Sequence, residues 1–171
     1  MPEPPESPID LRRLVPFEAD DVRLRHWEQE DLYVVAAASI DRYIPTITTV
    51  PRYYTDEAGR DWLLRQNRHL QRGTGCPLTI ARRSDNRAVG FAGINGISWE
   101  HRRASVGYWV ERQHRGRGYA AAALTMLPLL ARRMGLVRLD ALVEPDNSAS
   151  LWLCKQAGFA EEGVLRSYFR L

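Results

Sequence analysis

A chain of 171 residues with 44% hydrophobic side chains has the material for one domain with a sizeable core. Its formal net charge of +3 is small, and its arginine pairs at 12–13, 82–83, 102–103 and 132–133 are scattered, which argues against a nucleic-acid-binding tail or basic stripe. Two cysteines, Cys76 and Cys154, are too few for a disulfide framework or a four-ligand zinc site, and the apolar run Tyr119–Ala131 is too short to span a bilayer. These features predict a reduced, cytoplasmic protein with no metal, no nucleic-acid partner and no membrane partner.

In chain order, residues 1–16 read as an N-terminal extension. Its Pro/Glu-rich start has little to bury and is expected to be disordered, while Ile9, Leu11, Leu14 and Val15 can dock onto the domain formed by residues 17–171. Val22–Trp27 alternates as a first strand. Glu28–Ser39 reads as a helix opened by acidic residues. Asp41–Tyr54 reads as irregular and rich in aromatics, either a pocket wall or a loop pinned to the core. Thr55 is an N-cap, with Asp56 and Glu57 in the first turn of a helix running to about Gln71.

Pro77–Arg83 and Ala88–Ser98 read as strands around a turn at Ser84–Asn86, the second one bent by Gly90, Gly93 and Gly96. The pattern then predicts a strand over Ser105–Val110, a tight loop over Glu111–Gly118 and a helix over Tyr119–Met134. Pro128 inside that helix predicts a kink or an early break. Leu136–Val143 reads as a strand, Asn147 or Ser148 as the cap of a helix ending at Gly158, and Glu161–Phe169 as a last strand. The mixture predicts an α/β layer fold.

The chemistry concentrates in Gln113-His114-Arg115-Gly116-Arg117-Gly118 and the helix behind it. Two glycines allow the backbone to turn sharply and approach a ligand closely. The first N–H groups of the helix point back at the loop, a geometry that binds phosphates. Arg115 and Arg117 add charge in a fork suited to phosphate oxygens.

A Gln-x-x-Gly-x-Gly loop between a strand ending Gly107-Tyr108-Trp109-Val110 and an Ala-rich helix resembles the acyl-CoA pyrophosphate loop of the GNAT superfamily of N-acetyltransferases. The run from Asn147 to Phe159, with Leu153, Gly158 and Phe159, is similar to a second block of that family. The GYW strand, Ser150 and Glu162–Arg166 look most like its RimJ/RimL branch, which acetylates N-terminal amines of ribosomal proteins. The resemblance implies a mixed, mostly antiparallel sheet flanked by helices, with splayed central strands. It also implies that this chain stops one strand short, leaving an edge for a second copy, as a homodimer, or for Leu11–Phe17 to cover.

The same resemblance implies roles. Acetyl-CoA is the co-substrate, its pyrophosphate on Gln113, His114, Arg115, Gly116, Arg117, Gly118 and Tyr119. Its pantetheine arm lies along Trp109 and Val110, and Asn147 bonds the arm. Ser150 is the proton donor to the leaving thiolate in the branch it resembles, where many other relatives have a tyrosine at the position of Cys154. Cys154 is either an alternative donor or a small buried hydrophobe. Glu111, Glu100 and His101 are candidates for the base, with deprotonation through water as the alternative. Tyr33 and Tyr43 are candidates to line the acceptor site, which takes a primary amine of a protein N-terminus or a small molecule. Arg102 or Arg103 would pair with the carboxylate of a succinyl donor. A catalytically silent CoA-binding module is the competing reading from another class.

Overall fold

The computed structural model describes residues 9–168. Strands β1 (Phe17–Ala19), β2 (Val22–Arg25), β3 (Gly75–Arg82), β4 (Ala88–Ser98), β5 (Arg103–Val110) and β6 (Arg138–Ala141) form one sheet in sequence order. Every pairing up to β5 is antiparallel, and β6 lies parallel to β5. A parallel neighbour needs a crossover, and helix α4 (Tyr119–Arg133) supplies it. Helices α1 (Leu32–Ser39), α2 (Ile44–Ile47) and α3 (Asp56–Gln71) lie between β2 and β3 in sequence, and α5 (Ser148–Gln156) follows β6.

Each face of the sheet has its own core. Leu24, Leu78, Ile80 and Ile94 pack with Leu124, Leu127 and Leu130 of α4 on one face. Trp27, Trp62, Phe91 and Trp109 pack with Val34 and Val35 of α1 on the other. Successive strand side chains alternate between faces, so β5 contributes Val106 and Val110 to the first core and Trp109 to the second. At the far corner a buried Arg25–Asp31 pair, bonded at 2.7 and 2.8 Å, ties the end of β2 to the turn before α1. Arg25 also donates to the Asn86 side chain and carbonyl, fixing the β3–β4 turn.

Most expected elements are present, with Thr55 capping α3 through the Ala58 N–H. Four expectations are corrected. The early break at Pro128 does not occur: α4 runs on to Arg133, because Leu124, Met126, Leu127 and Leu130, all almost fully buried, hold it by packing. No strand forms over residues 161–168, which are irregular and exposed. The Leu11–Phe17 segment does not cover the β6 edge. Leu11 is buried and Phe17 opens β1, which pairs with β2 at the opposite edge of the sheet. Finally, Asp41–Tyr54 is not wholly irregular, since α2 forms within it, capped by the Asp41 carboxylate. The expected disorder at the start of the chain concerns residues 1–8, and the end of the expected last strand concerns residues 169–171; both lie outside the described residues.

Candidate active site

The β5–β6 pairing runs from Arg103↔Arg138 to Val106↔Ala141 and stops there. β5 continues to Val110 while the chain after β6 turns away into α5. Residues 107–110 of β5 therefore have no strand partner on the β6 side, and the strands part there into a cleft between β5 and the chain that leads to α5. The Glu111 N–H donates to Val89 on the β4 side. By the two-residue alternation of a strand, the N–H groups of Val110 and Tyr108 point the other way, into the cleft.

At the open end of the cleft lies the Gly/Arg loop. Glu111 caps its first turn, both carboxylate oxygens accepting the Gln113 N–H at 3.1 Å. Gly116 and Gly118 have φ of 74° and 81°, in the region that favours glycine. A Cβ at either would meet nothing within 4 Å, so the space above the loop is open. The first helical bond of α4 runs from the Ala122 N–H to the Gly118 carbonyl. The N–H groups of Tyr119, Ala120 and Ala121 therefore precede the first helical donor, have no acceptor within the helix and face the loop. A loop with open space over two glycines and an N-terminal dipole behind it fits a diphosphate.

One wall of the cleft is α5. Asn147 caps it, its Oδ1 accepting the Ser150 N–H at 3.1 Å, while its Nδ2 donates to the Tyr43 hydroxyl at 3.1 Å. Burial raises the Tyr43 phenol above its ordinary pKa, and Glu144 adds to the effect. A second tie holds the same segment on the other side. Arg115 donates to the Asp41 carboxylate at 2.7 Å and to the Val110 carbonyl at 3.0 Å. Burial pushes the Asp41 carboxyl up, but the N–H groups of Ile44 and Tyr43 and the Arg115 guanidinium outweigh it and hold the carboxyl below its ordinary value. Residues 41–43 thus form a strap from the phosphate loop to the cap of α5.

The structure brings together Val110, Gly116, Gly118, Tyr119, Asn147, Ser150 and Tyr43 around one cleft. Arg117 is exposed at the loop, whereas Arg115, itself half exposed, commits two of its guanidinium nitrogens to Asp41 and Val110. Gln113 is exposed and His114 half-buried, its Nε2 3.8 Å from Glu111. Trp109 turns away into the aromatic core, in offset contact with Phe91 at 6.3 Å, so only its backbone runs beside the cleft. Tyr33 is bonded to the Ala88 carbonyl and overlain by Arg87, away from α5.

Glu100 and His101 lie in the exposed β4–β5 turn, and Arg102 donates to the Gly135 carbonyl beside it. At about 3.3 Å per residue, β5 puts its first residue, Arg103, roughly 17 Å from Tyr108. The structure does not bring Glu100, His101, Arg102 or Arg103 to the cleft, and Glu111 is engaged in holding the loop.

Sequence reasoning missed Asp41 and Tyr108. Asp41 carried the signal of a helix cap two residues before Tyr43-Ile44, obscured by Pro45. Tyr108 carried none beyond its place on the β5 face opposite Trp109. Its hydroxyl is sealed from solvent and makes no hydrogen bond, although it faces Ser150 and Cys154 of α5. Burial raises the Cys154 thiol, with the Tyr108 hydroxyl opposing, as expected of a small buried side chain.

Comparison with known proteins gives these features a family. Residues 21–160 match the acetyltransferase (GNAT) domain model. The N-acetyltransferase p20 of Bacillus licheniformis is 29% identical over 146 residues, covering 85% of this chain and 82% of that protein. The fold matches Mycobacterium smegmatis RimJ, solved in complex with a CoA-disulfide, at a TM-score of 0.78 and 26% identity, over 88% of this chain and 75% of that one. It also matches RimL, the ribosomal L7/L12 alpha-N-protein acetyltransferase, in complex with coenzyme A, at 0.77 and 20%, over 91% and 89%. No described helix is long and apolar enough to cross a membrane. The chain belongs to the GNAT acetyltransferase family, and is an N-acetyltransferase that draws its acetyl group from acetyl-CoA.

Proposed function

We propose that this chain acetylates a primary amine by direct attack on acetyl-CoA within a ternary complex, with residues 17–171 acting as one acyltransferase domain. The observation that carries the reading is the divergence of β5 from β6 beyond Val106↔Ala141, with the open glycine loop at its mouth. A diphosphate on residues 116–121 directs the pantetheine arm down the cleft, where the N–H groups of Val110 and Tyr108 receive its carbonyls. The thioester then lies beside Ser150, whose hydroxyl donates a proton to sulfur as the thiolate leaves. Asn147 holds the start of α5 and the strap together around the arm. The amine loses its proton through water, since Glu111 is committed to the loop and Glu100 lies at the far end of β5.

An α-amino group of a protein N-terminus is the acceptor class we put first, because the GYW strand and Ser150 resemble the RimJ/RimL branch, and RimL, which has the same fold, is named an alpha-N-protein acetyltransferase. A small-molecule amine is the second. The test is CoA-thiol release from acetyl-CoA across N-terminal Ser and Ala peptides, polyamines, aminoglycosides and amino acids. Turnover on the peptides is expected. Turnover confined to a small-molecule class would transfer the acceptor assignment to it, and silence throughout, with acetyl-CoA bound, would overturn the catalytic reading.

A further inference from the structure

The hydroxyl of Tyr108 has no hydrogen-bond partner, although it is sealed from solvent. Leaving a buried polar group unmatched is unfavourable, so its place calls for an explanation. The side chain projects on the face of β5 that carries Val106 and Val110, toward α5. There it faces the hydroxyl of Ser150 and the thiol of Cys154, near both and aligned with neither. Ser150 and Cys154 are four residues apart on α5, so they share one face of that helix. Tyr108 is also the first residue of β5 with a side chain beyond Val106, where its pairing with β6 ends. A cofactor anchored by phosphates at the mouth reaches this depth with its acyl end.

We propose that Tyr108 is a positioning residue of the acetyl transfer, whose hydroxyl orients the Ser150 hydroxyl and resupplies the proton that Ser150 gives to the departing sulfur. The inference rests on the acetyl-transfer reading above. The amine lone pair forms the C–N bond to the thioester carbon. The C–S bond breaks, and its electron pair goes to sulfur. The Ser150 Oγ proton passes to sulfur, giving the free thiol, and the Tyr108 proton passes to Ser150 Oγ. Tyr108 regains a proton from water that enters as the products leave, matching the one the amine nitrogen released to water, so the sum is amide plus thiol. Burial raises the Tyr108 phenol above its ordinary pKa, with the Ser150 hydroxyl opposing and Cys154 and Tyr43 adding to it. The phenol therefore stays protonated through neutral pH, ready to donate.

Tyr108→Phe removes the oxygen and keeps the ring. Proton transfer from a positioned group contributes about 10²–10⁴-fold, and a group one step removed should contribute less, at most the bottom of that range. With the best amine of the panel, Tyr108→Phe is expected to lower kcat about ten- to hundredfold. KM for acetyl-CoA, and the Kd for CoA measured by calorimetry, should stay within about twofold. Ser150→Ala should fall at least as far, and Tyr108→Phe/Ser150→Ala no further than Ser150→Ala alone, because one relay is broken once. A wild-type kcat in Tyr108→Phe overturns this inference and leaves the acetyl-transfer reading standing. Independent, multiplying losses in the two single variants overturn the relay. A wild-type chain that binds CoA and turns over no amine overturns both readings.

Discussion

Substituting Gly118 by Glu separates the fold of the phosphate loop from its use. Gly118 has φ of 81°, where a side chain costs about 1–2 kcal/mol. Its Cβ would meet nothing within 4 Å, so no steric term is added. The variant should fold, with stability reduced by about that amount in a denaturant titration. The new carboxylate would enter the open space over the α4 N-terminus. Two like charges 4 Å apart repel by about 1 kcal/mol in bulk water and by about 4 kcal/mol at the effective dielectric of a protein surface. Against a diphosphate the smaller figure applies about twice, and each 1.4 kcal/mol is tenfold. CoA binding by calorimetry should weaken at least about thirtyfold, and less at high salt. Gly118→Asn is the control, since Asn tolerates this backbone better and adds no charge; it should bind CoA more tightly than the Glu variant by at least tenfold. A folded Gly118→Glu protein that binds CoA within about threefold of the wild type would refute the placement of the phosphates.

Three further outcomes follow from packing and charge. Asp31→Asn leaves the buried Arg25 guanidinium without its carboxylate and should cost about 3–5 kcal/mol in urea unfolding. Gly90→Ala would put a Cβ 2.2 Å from the Trp109 carbonyl oxygen. Backbone has to shift to relieve that, so a loss of about 3 kcal/mol or more and weakened CoA binding are expected, read by thermal unfolding and calorimetry. Asp41 gives a pH signature. Its carboxyl is held below the ordinary value in the fold, so its contribution to stability is present above the unfolded pKa of about 3.9 and is lost as pH falls through the lower folded value. Unfolding midpoints of Asp41→Asn and wild type should converge as pH drops below about 4; a gap that stays constant would count against the bonds that the Ile44 and Tyr43 N–H groups and Arg115 make to the Asp41 carboxylate.

Local signals made most of the fold legible. Thr55 before Asp56-Glu57 announced α3, and the glycine loop before an Ala-rich run announced α4. The reading failed where long-range packing outweighs local preference. Pro128 reads as a break, yet α4 passes through it because the residues around it fill the core. Glu161–Phe169 has strand-forming residues, but through residue 168 no ladder forms, and strand propensity without a neighbour to pair with stabilises little. In the site, the loop and Asn147 were legible because their roles rest on backbone conformation, which Gly and Asn report directly. The inward turn of Arg115 was not. An arginine in a glycine loop looks the same in sequence whether its fork meets a phosphate or Asp41, which lies 74 residues away.

That inward turn bears on what the cleft can hold. A diverging strand pair exposes backbone donors and acceptors alike, and both need partners. Here the Val110 carbonyl already accepts from Arg115. What β5 offers at the mouth of the cleft is therefore weighted toward N–H donors, which suit a chain carrying carbonyl groups. The strap adds a condition on timing. Asp41 and Tyr43 are bonded to the phosphate loop on one side and to Asn147 on the other, so a ligand arm must fit beneath the strap or displace one of its ties. Breaking the Tyr43–Asn147 bond by Tyr43→Phe would free one tie and leave the cap of α5 intact. If the arm passes beneath, CoA association and dissociation in stopped flow should both quicken, with Kd within about threefold. A strap that only braces the fold predicts unchanged rates and a lower melting temperature instead.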